Sequence, residues 1–324
     1  DLTAALSMLP GVLLGTGPDG RPVASAFGLG GGDNTQTLNG ATSGESPLVR
    51  DGLRQSVRLS TYDPRHGRFG GLQIVSLLPA GSALETSTLR ITASPTALQA
   101  GAGAAGRLVE PERDVLVSGT RFGSMFSDRA FHASTAQLRQ RAAQALPLDG
   151  RGARRLEDLG IAPGLIESVL TSARARGLPI GAPDAPLSRE VLEGSALTRL
   201  DLTDAATALG NPAGDVLYLL ASVGGRRSVG AVSPLATRSL DTRRWSSDAS
   251  LAVAWSPYVS SALIDVRSRV LHARDGVEPT SALPTGRVFL APTASASTPG
   301  VLSSLGGTGI GASRRDRTSW DSFI

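Results

Sequence analysis

The chain has 324 residues, with 32 basic against 28 acidic side chains and a formal net charge of +4. It contains no cysteine and no lysine, which excludes disulfides, thiolate metal sites, thiol nucleophiles, Schiff-base lysines and a phosphate-loop lysine. No apolar run approaches the roughly 18 residues of a membrane-spanning helix, so a chain with no membrane partner is expected.

Residues 1–27 hold an apolar segment, a Gly-Pro-Asp-Gly turn at 17–20 and a second apolar stretch from Pro22 to Phe27. This predicts two short strands, or a helical turn and a strand. Gly15, Gly17 and Gly20 match G-x-G-x-x-G, but a turn follows where a dinucleotide site needs a helix, so no cofactor is expected. Residues 28–47 are small and polar. Ordering them costs entropy that local contacts hardly offset, which implies a neighbouring surface. The segments QSVRLST, GLQIVSLL and TSTLRITAS then read as short strands, followed by a linker over 95–106 and a further strand, DVLVS.

Beyond residue 118 the reading turns helical. Ser134 and Gln137 form a capping box that opens a helix to Leu146. Arg154 to Leu159 reads as a short helix, and Pro163 starts a stronger one to Arg176, with Leu165, Ile166, Val169 and Leu170 as its stripe. Leu187–Leu197 and Thr203–Leu209 follow as helices capped by Ser188 and Thr203. Asp215 to Val223 is apolar nearly throughout and predicted buried, as strand or helix, and 251–255 reads as a buried strand. Ser256 to Gly276 gives the longest helical pattern. Val259, Ala262, Leu263, Val266, Val270 and Ala273 form its stripe, arginines load its last turns, and Gly276 is the stop. A strand is the rival there, because Ile264, Val266 and Val270 share one parity against Asp265, Arg267 and Arg269. Arg287 to Leu290 is a last strand. The low-complexity stretch 292–319 and the aromatics Trp320 and Phe323 read as an arm lying against a surface. The sum is an α+β fold of mixed short strands and helices with extended loop arms. Its body covers 1–291 (strand-rich 1–118, helix-rich 119–291) and its C-terminal arm 292–324.

Chemistry is sparse. His66, His132 and His272 are scattered, with no H-E-x-x-H and no G-x-S-x-G, so no catalytic, cofactor or metal site is predicted. The basic clusters are Arg226-Arg227, Arg243-Arg244 beside Trp245, and Arg314-Arg315 with Arg317. These are the candidates for nucleic-acid or subunit contact. Long small-residue segments, arginine-only basicity and missing catalytic signatures fit a protein that tiles with copies of itself. The expectation is therefore a structural subunit of a large homo-oligomeric assembly, most concretely a viral capsid protein of the virion. Its partners would be copies of itself or other shell proteins, with packaged nucleic acid as a further candidate. Asp1 as first residue suits maturation cleavage or a fragment of a longer shell chain. A hydrolase-type enzyme with a site assembled from distant residues and an arginine-rich nucleic-acid-binding module are the alternatives.

Overall fold

Alternation with a period of two runs through most of the described residues, and the architecture is built from it. The computed structural model describes residues 6–16, 22–29, 34–42, 51–59, 72–94, 113–125, 129–145, 156–157, 160–178, 187–202, 216–230, 237–259, 262–292, 300–307, 309 and 311–323. The first strands are short. β1 (Val12–Thr16) and β2 (Pro22–Ala26) form a hairpin. β3 (Thr35–Leu38), β4 (Ala41–Thr42), β5 (Arg54–Leu59) and β6 (Leu72–Leu77) form a mixed sheet of order β4-β3-β6-β5, in which β3 and β6 are parallel. Leu6, Val12, Ala24, Ala26, Leu72 and Ile74 make the core of this inner domain. Asn34 ties hairpin to sheet, accepting from the Leu72 N–H at 3.0 Å and donating to the Ala24 carbonyl at 2.6 Å.

Most of the remaining described residues belong to one large sheet. Its strands are β7 (Thr86–Ser94), β8 (Arg113–Met125), β9 (Ala130–Ala145), β10 (Leu187–Leu202), β11 (Val216–Gly230) and β12 (Thr242–Ser256). After a small hairpin, β13 (Tyr258–Val259) with β14 (Ala262–Leu263), comes β15 (Val266–Pro279). After a second hairpin, β16 (Thr285–Leu290) with β17 (Val301–Gly306), comes β18 (Ser313–Phe323). The order is β18-β15-β12-β11-β10-β9-β8-β7, an up-and-down antiparallel meander with unbroken register in every ladder. The helix α1 (Pro163–Ala175) stands in the β9–β10 connection.

The longest connections, 146–186 and 280–312, lie at the same end of this sheet. They pack on each other there. Ile166, Leu170 and Ala173 of α1 share a core with Leu156, Ile161, Leu290 of β16 and Leu305 of β17. The β11–β12 connection joins them through the Thr237 N–H, which donates to the Ser304 carbonyl at 3.2 Å.

The α+β expectation is overturned. The described residues are mostly strand, and α1 is the one α-helix described from end to end, beside a 3-10 turn at Arg238–Leu240. The helices expected at Ser134–Leu146, Leu187–Leu197 and Ser256–Gly276 are instead β9, β10 and the run β13 to β15. Each long strand pairs along its length with both neighbours, and that ladder outweighs a local capping box or an apolar spacing that fits a helix by coincidence. The strands expected at 55–61, 71–78, 86–94, 114–118 and 287–290 are present, as is the helix from Pro163. The helix expected at Thr203–Leu209 lies outside the described residues. The C-terminal stretch 301–323, expected as an arm against a surface, lies against its own chain. It forms β17 and β18, and β18 pairs with β15 from Val277↔Ser313 to Arg267↔Phe323.

Candidate functional site

The large sheet has two chemically opposite faces, and contacts with the inner domain define which is which. Ser118 donates its hydroxyl to the Asp51 carboxylate, and the Thr135 hydroxyl donates to the Asp51 carbonyl at 2.7 Å. Arg199 Nη1 donates to the Leu78 carbonyl at 3.0 Å, and the Gly81 N–H donates to Asp201 Oδ2 at 3.0 Å. Arg267 Nη1 and the Tyr218 hydroxyl both donate to the Asn39 carbonyl, at 3.3 and 3.4 Å. The Arg199 guanidinium lies 4.2 Å from the Tyr218 ring centroid, a cation–π contact that holds both side chains at the seam. Leu38 and Leu78 of the inner domain pack on Ala133, Leu197, Leu220 and Ala252 of the sheet.

Asn39 is the centre of this seam. Its backbone is left-handed, with φ of 48°, a conformation asparagine tolerates better than most residues. Its side chain accepts from the Leu78 N–H at 2.8 Å and donates to the Leu78 carbonyl at 3.3 Å. The next residue, Gly40, has φ of 85°, and a Cβ there would lie 1.9 Å from Arg267 Nη1.

These contacts fix the parity of every strand, because each ladder is in continuous register. Inward are Ser118 and Thr120, then Thr135, Glu193, Arg199, Asp201, Tyr218 and Arg226, then Arg267 and Arg269. Most are buried and most are polar. A buried ion-pair triad sits among them, Glu193 Oε1 lying 3.0 Å from Arg141 Nη2 and 3.4 Å from Arg226 Nε. Outward are Leu89, Ile91, Leu138, Leu192, Val223, Leu251, Val253, Val270 and Trp320, all exposed. The sense is inverted relative to a water-soluble sheet: on β15, Arg269 is 5% exposed and its neighbour Val270 48%. This also corrects the expected burial of 215–223 and 251–255, since Val223, Leu251 and Val253 face out.

All three tryptophans lie on the outward face. Trp245 pairs with Gly276 and covers it, with the Arg314 guanidinium 6.0 Å from its ring centroid. Trp320 is 76% exposed, and its indole N–H donates to the Ser268 hydroxyl at 2.8 Å. Trp245 and Trp255 are both on β12. Their separation is about 33 Å of strand, or about 25 Å along the axis of a barrel with strands tilted by about 40°. Between them the outward positions are Ser247, Ala249, Leu251 and Val253.

The basic clusters singled out in the sequence converge at the end of the sheet with the longest connections. Arg227 is paired with Trp245, Ser228 with Arg244, Val229 with Arg243, and Gly276 stands between Trp245 and Arg314. Alternation divides each cluster. Arg226, Arg244, Arg315 and Arg317 face inward, while Arg227, Arg243, Trp245 and Arg314 face outward. The seam residues Asn39, Arg199, Tyr218 and Arg267 were not singled out, since each is isolated in sequence from the group it binds. Among the described residues no group of three or more His, Cys, Asp and Glu is placed to hold a metal. His272 faces out beside the Thr318 hydroxyl at 3.0 Å, and His66, Gly17 and Gly20 lie outside the described residues.

Among the described residues no helix is long and apolar enough to cross a membrane. A long-stranded meander with apolar residues outside, polar residues inside and tryptophans near both margins is a β-barrel-like wall. No protein-family model and no curated protein matches the chain. Among solved structures it is similar to the outer membrane transporter YddB from Escherichia coli, at 12% identity and a TM-score of 0.59. The match covers 98% of this chain and 42% of that one. The chain thus spans less than half the length of that transporter, and at this identity the likeness shows the fold. The expectation of a virion protein with no membrane partner is overturned by this likeness together with the apolar outward face, and nothing found supports a capsid.

Proposed function

We propose that this chain supplies part of the wall of a membrane-spanning β-barrel, together with the small domain that fills its interior, in a transporter of an outer membrane. The observation that carries the reading is the inverted alternation, with Leu, Val and Trp outside and buried Arg, Glu, Asp and Thr inside over seven ladders in unbroken register. In water that arrangement forfeits the hydrophobic gain of burying the outward row, and in lipid it is the stable one. β8 to β12 and β15 have 13 to 16 residues, more than the roughly 9–11 that cross a bilayer at a tilt.

The inner domain argues for a large barrel. An interior of about eight strands is filled by side chains alone, whereas plugged lumens belong to barrels of about 22. The eight-stranded sheet here is open, with β7 and β18 as edges. Hydrocarbon does not tolerate unpaired strand edges, so in this reading further strands complete the ring.

Tryptophan fluorescence tests the proposal. The protein is reconstituted in vesicles whose acyl chains carry bromine, a contact quencher. All three tryptophans face outward, so most of the emission should be lost. Emission equal to that in unbrominated vesicles, from protein that floats with the lipid, overturns the reading.

A further inference from the structure

Alternation and register sort the arginines of the wall by height as well as by face. On the inward face near the inner domain, Arg199 is met by Asp201 and the Leu78 carbonyl, and Arg267 by Asp265 and the Asn39 carbonyl. Arg269 lies opposite Asp321. Charge there is balanced. Towards the end with the longest connections the inward positions change character. Arg139 and Arg141 on β9, Arg226 on β11, Arg244 on β12, and Arg315 and Arg317 on β18 all face the interior. Against them stand Asp114, Glu193, Asp248 and Asp275 on the same face.

Glu193 serves both Arg141 and Arg226, and Asp114 serves Arg139. Positive charge is left over. Three guanidiniums keep open donors: Arg141 Nε and Arg244 Nε here, and Arg269 Nη1 nearer the inner domain, are buried and have no hydrogen-bond partner among the described residues. Arg315 and Arg317 are exposed. A concave wall of low dielectric concentrates the field of such a patch, and planar guanidinium forks bind carboxylate or phosphate oxygens in pairs.

We infer that the interior surface between the inner domain and the long connections binds a small anionic solute bearing carboxylate or phosphate groups, and that such anions are the class of cargo. The inference rests on the barrel reading, which makes this surface the outer vestibule of a lumen. The alternating pattern supplies a matched control. Arg244→Gln, Arg315→Gln and Arg317→Gln remove three inward charges, and Arg227→Gln, Arg243→Gln and Arg314→Gln remove three outward charges at the same height.

The experiment is calorimetric titration of the full chain in detergent with citrate, with pyrophosphate and with glucose. Citrate and pyrophosphate separate the carboxylate source from the phosphate source. At least one should bind while glucose does not, and the inward triple variant should weaken that binding by roughly tenfold or more, the outward triple variant by less than about twofold. Equal loss in both triples, or no anion binding above the glucose trace, overturns the inference. If the inward triple fails to fold, Arg317→Gln alone and the salt series on the wild type decide the matter. Binding should fall between about 0.05 M and about 0.3 M ionic strength, and salt-independent binding overturns it. Lipid quenching of tryptophan is measured on the same samples. In the wild type, absence of anion binding with quenching retained defeats this inference alone, and absence of quenching defeats the barrel reading.

Discussion

At the residue scale the seam is held by backbone carbonyls, and small changes there have large consequences. A Cβ at Gly40 would occupy the position of Arg267 Nη1, and the left-handed φ adds strain for any side chain. Gly40→Ala should therefore push Arg267 off the Asn39 carbonyl and cost about 1–3 kcal/mol, read from urea unfolding in detergent. A cost near zero would mean that the seam is loose. Glu193 is the second sensitive position. Its side chain is 8% exposed between Arg141 and Arg226, so Glu193→Ala leaves two buried cations without their anion. The expected loss is about 3–5 kcal/mol. The double variant Glu193→Ala, Arg226→Met should recover part of it, and strict additivity of the two changes would show that the pair is not coupled. Apart from Arg226, singled out as half of the Arg226-Arg227 pair, none of these residues was legible as a site. Arg199 meets Leu78 and Arg267 meets Asn39 across more than a hundred residues of sequence, and single arginines carry no motif.

At the element scale β12 carries its own depth gauge. If Trp245 and Trp255 mark the two margins of the apolar layer, the midplane falls beside Leu251, which faces outward and is exposed. Leu251→Arg should then cost about 2–4 kcal/mol of folding free energy in vesicles, and Ser247→Arg about 0–1 kcal/mol. Equal costs at both positions would place the layer elsewhere. The same strands show why the sequence misled. A wall strand signals itself only by apolar residues at every second position, a weak pattern, and in Ala- and Leu-rich segments every second and every third or fourth position are easily confused. Ser134 and Gln137 face opposite sides of β9, so their match to a capping box is accidental. The parity of Val266 and Val270 against Arg267 and Arg269 was visible, and its rival helix was preferred on end signals that belong to a strand margin. Where the element was short and conventionally amphipathic, as at α1, the helix was read correctly: Pro163 sits at its start and Ile166 and Leu170 of the expected stripe are buried, while Leu165 is exposed and Ala173 takes its place in the core.

At the scale of the whole molecule the ordered small-residue segments have a different explanation from the one first expected. The stretch 34–42 is fixed by Asn34 and Asn39 within the inner domain, and 301–306 by its hairpin with β16 and by the helix α1. The partners of these segments belong to the same chain, so their order is no argument for tiling with copies. The asymmetry of the connections gives the barrel reading a direction. Connections 146–186 and 280–312 gather at one end, while the inner domain passes into β7 at the other, where the Gly81 N–H meets Asp201. In outer-membrane barrels the long loops face outside and the short turns face the periplasm. The chain has no cysteine, so single introduced thiols can be labelled without background. Ala282→Cys lies in the connection after β15 and Arg129→Cys immediately before β9, and both positions are exposed. In intact cells a membrane-impermeant maleimide should label Ala282→Cys and leave Arg129→Cys unmodified until the outer membrane is opened. Labelling of both from outside would sink the barrel reading, because no strand would then separate the two positions. Labelling of Arg129→Cys alone would keep the barrel and reverse it, placing the arginine-lined interior on the periplasmic side, where it would meet a solute on exit instead of on entry.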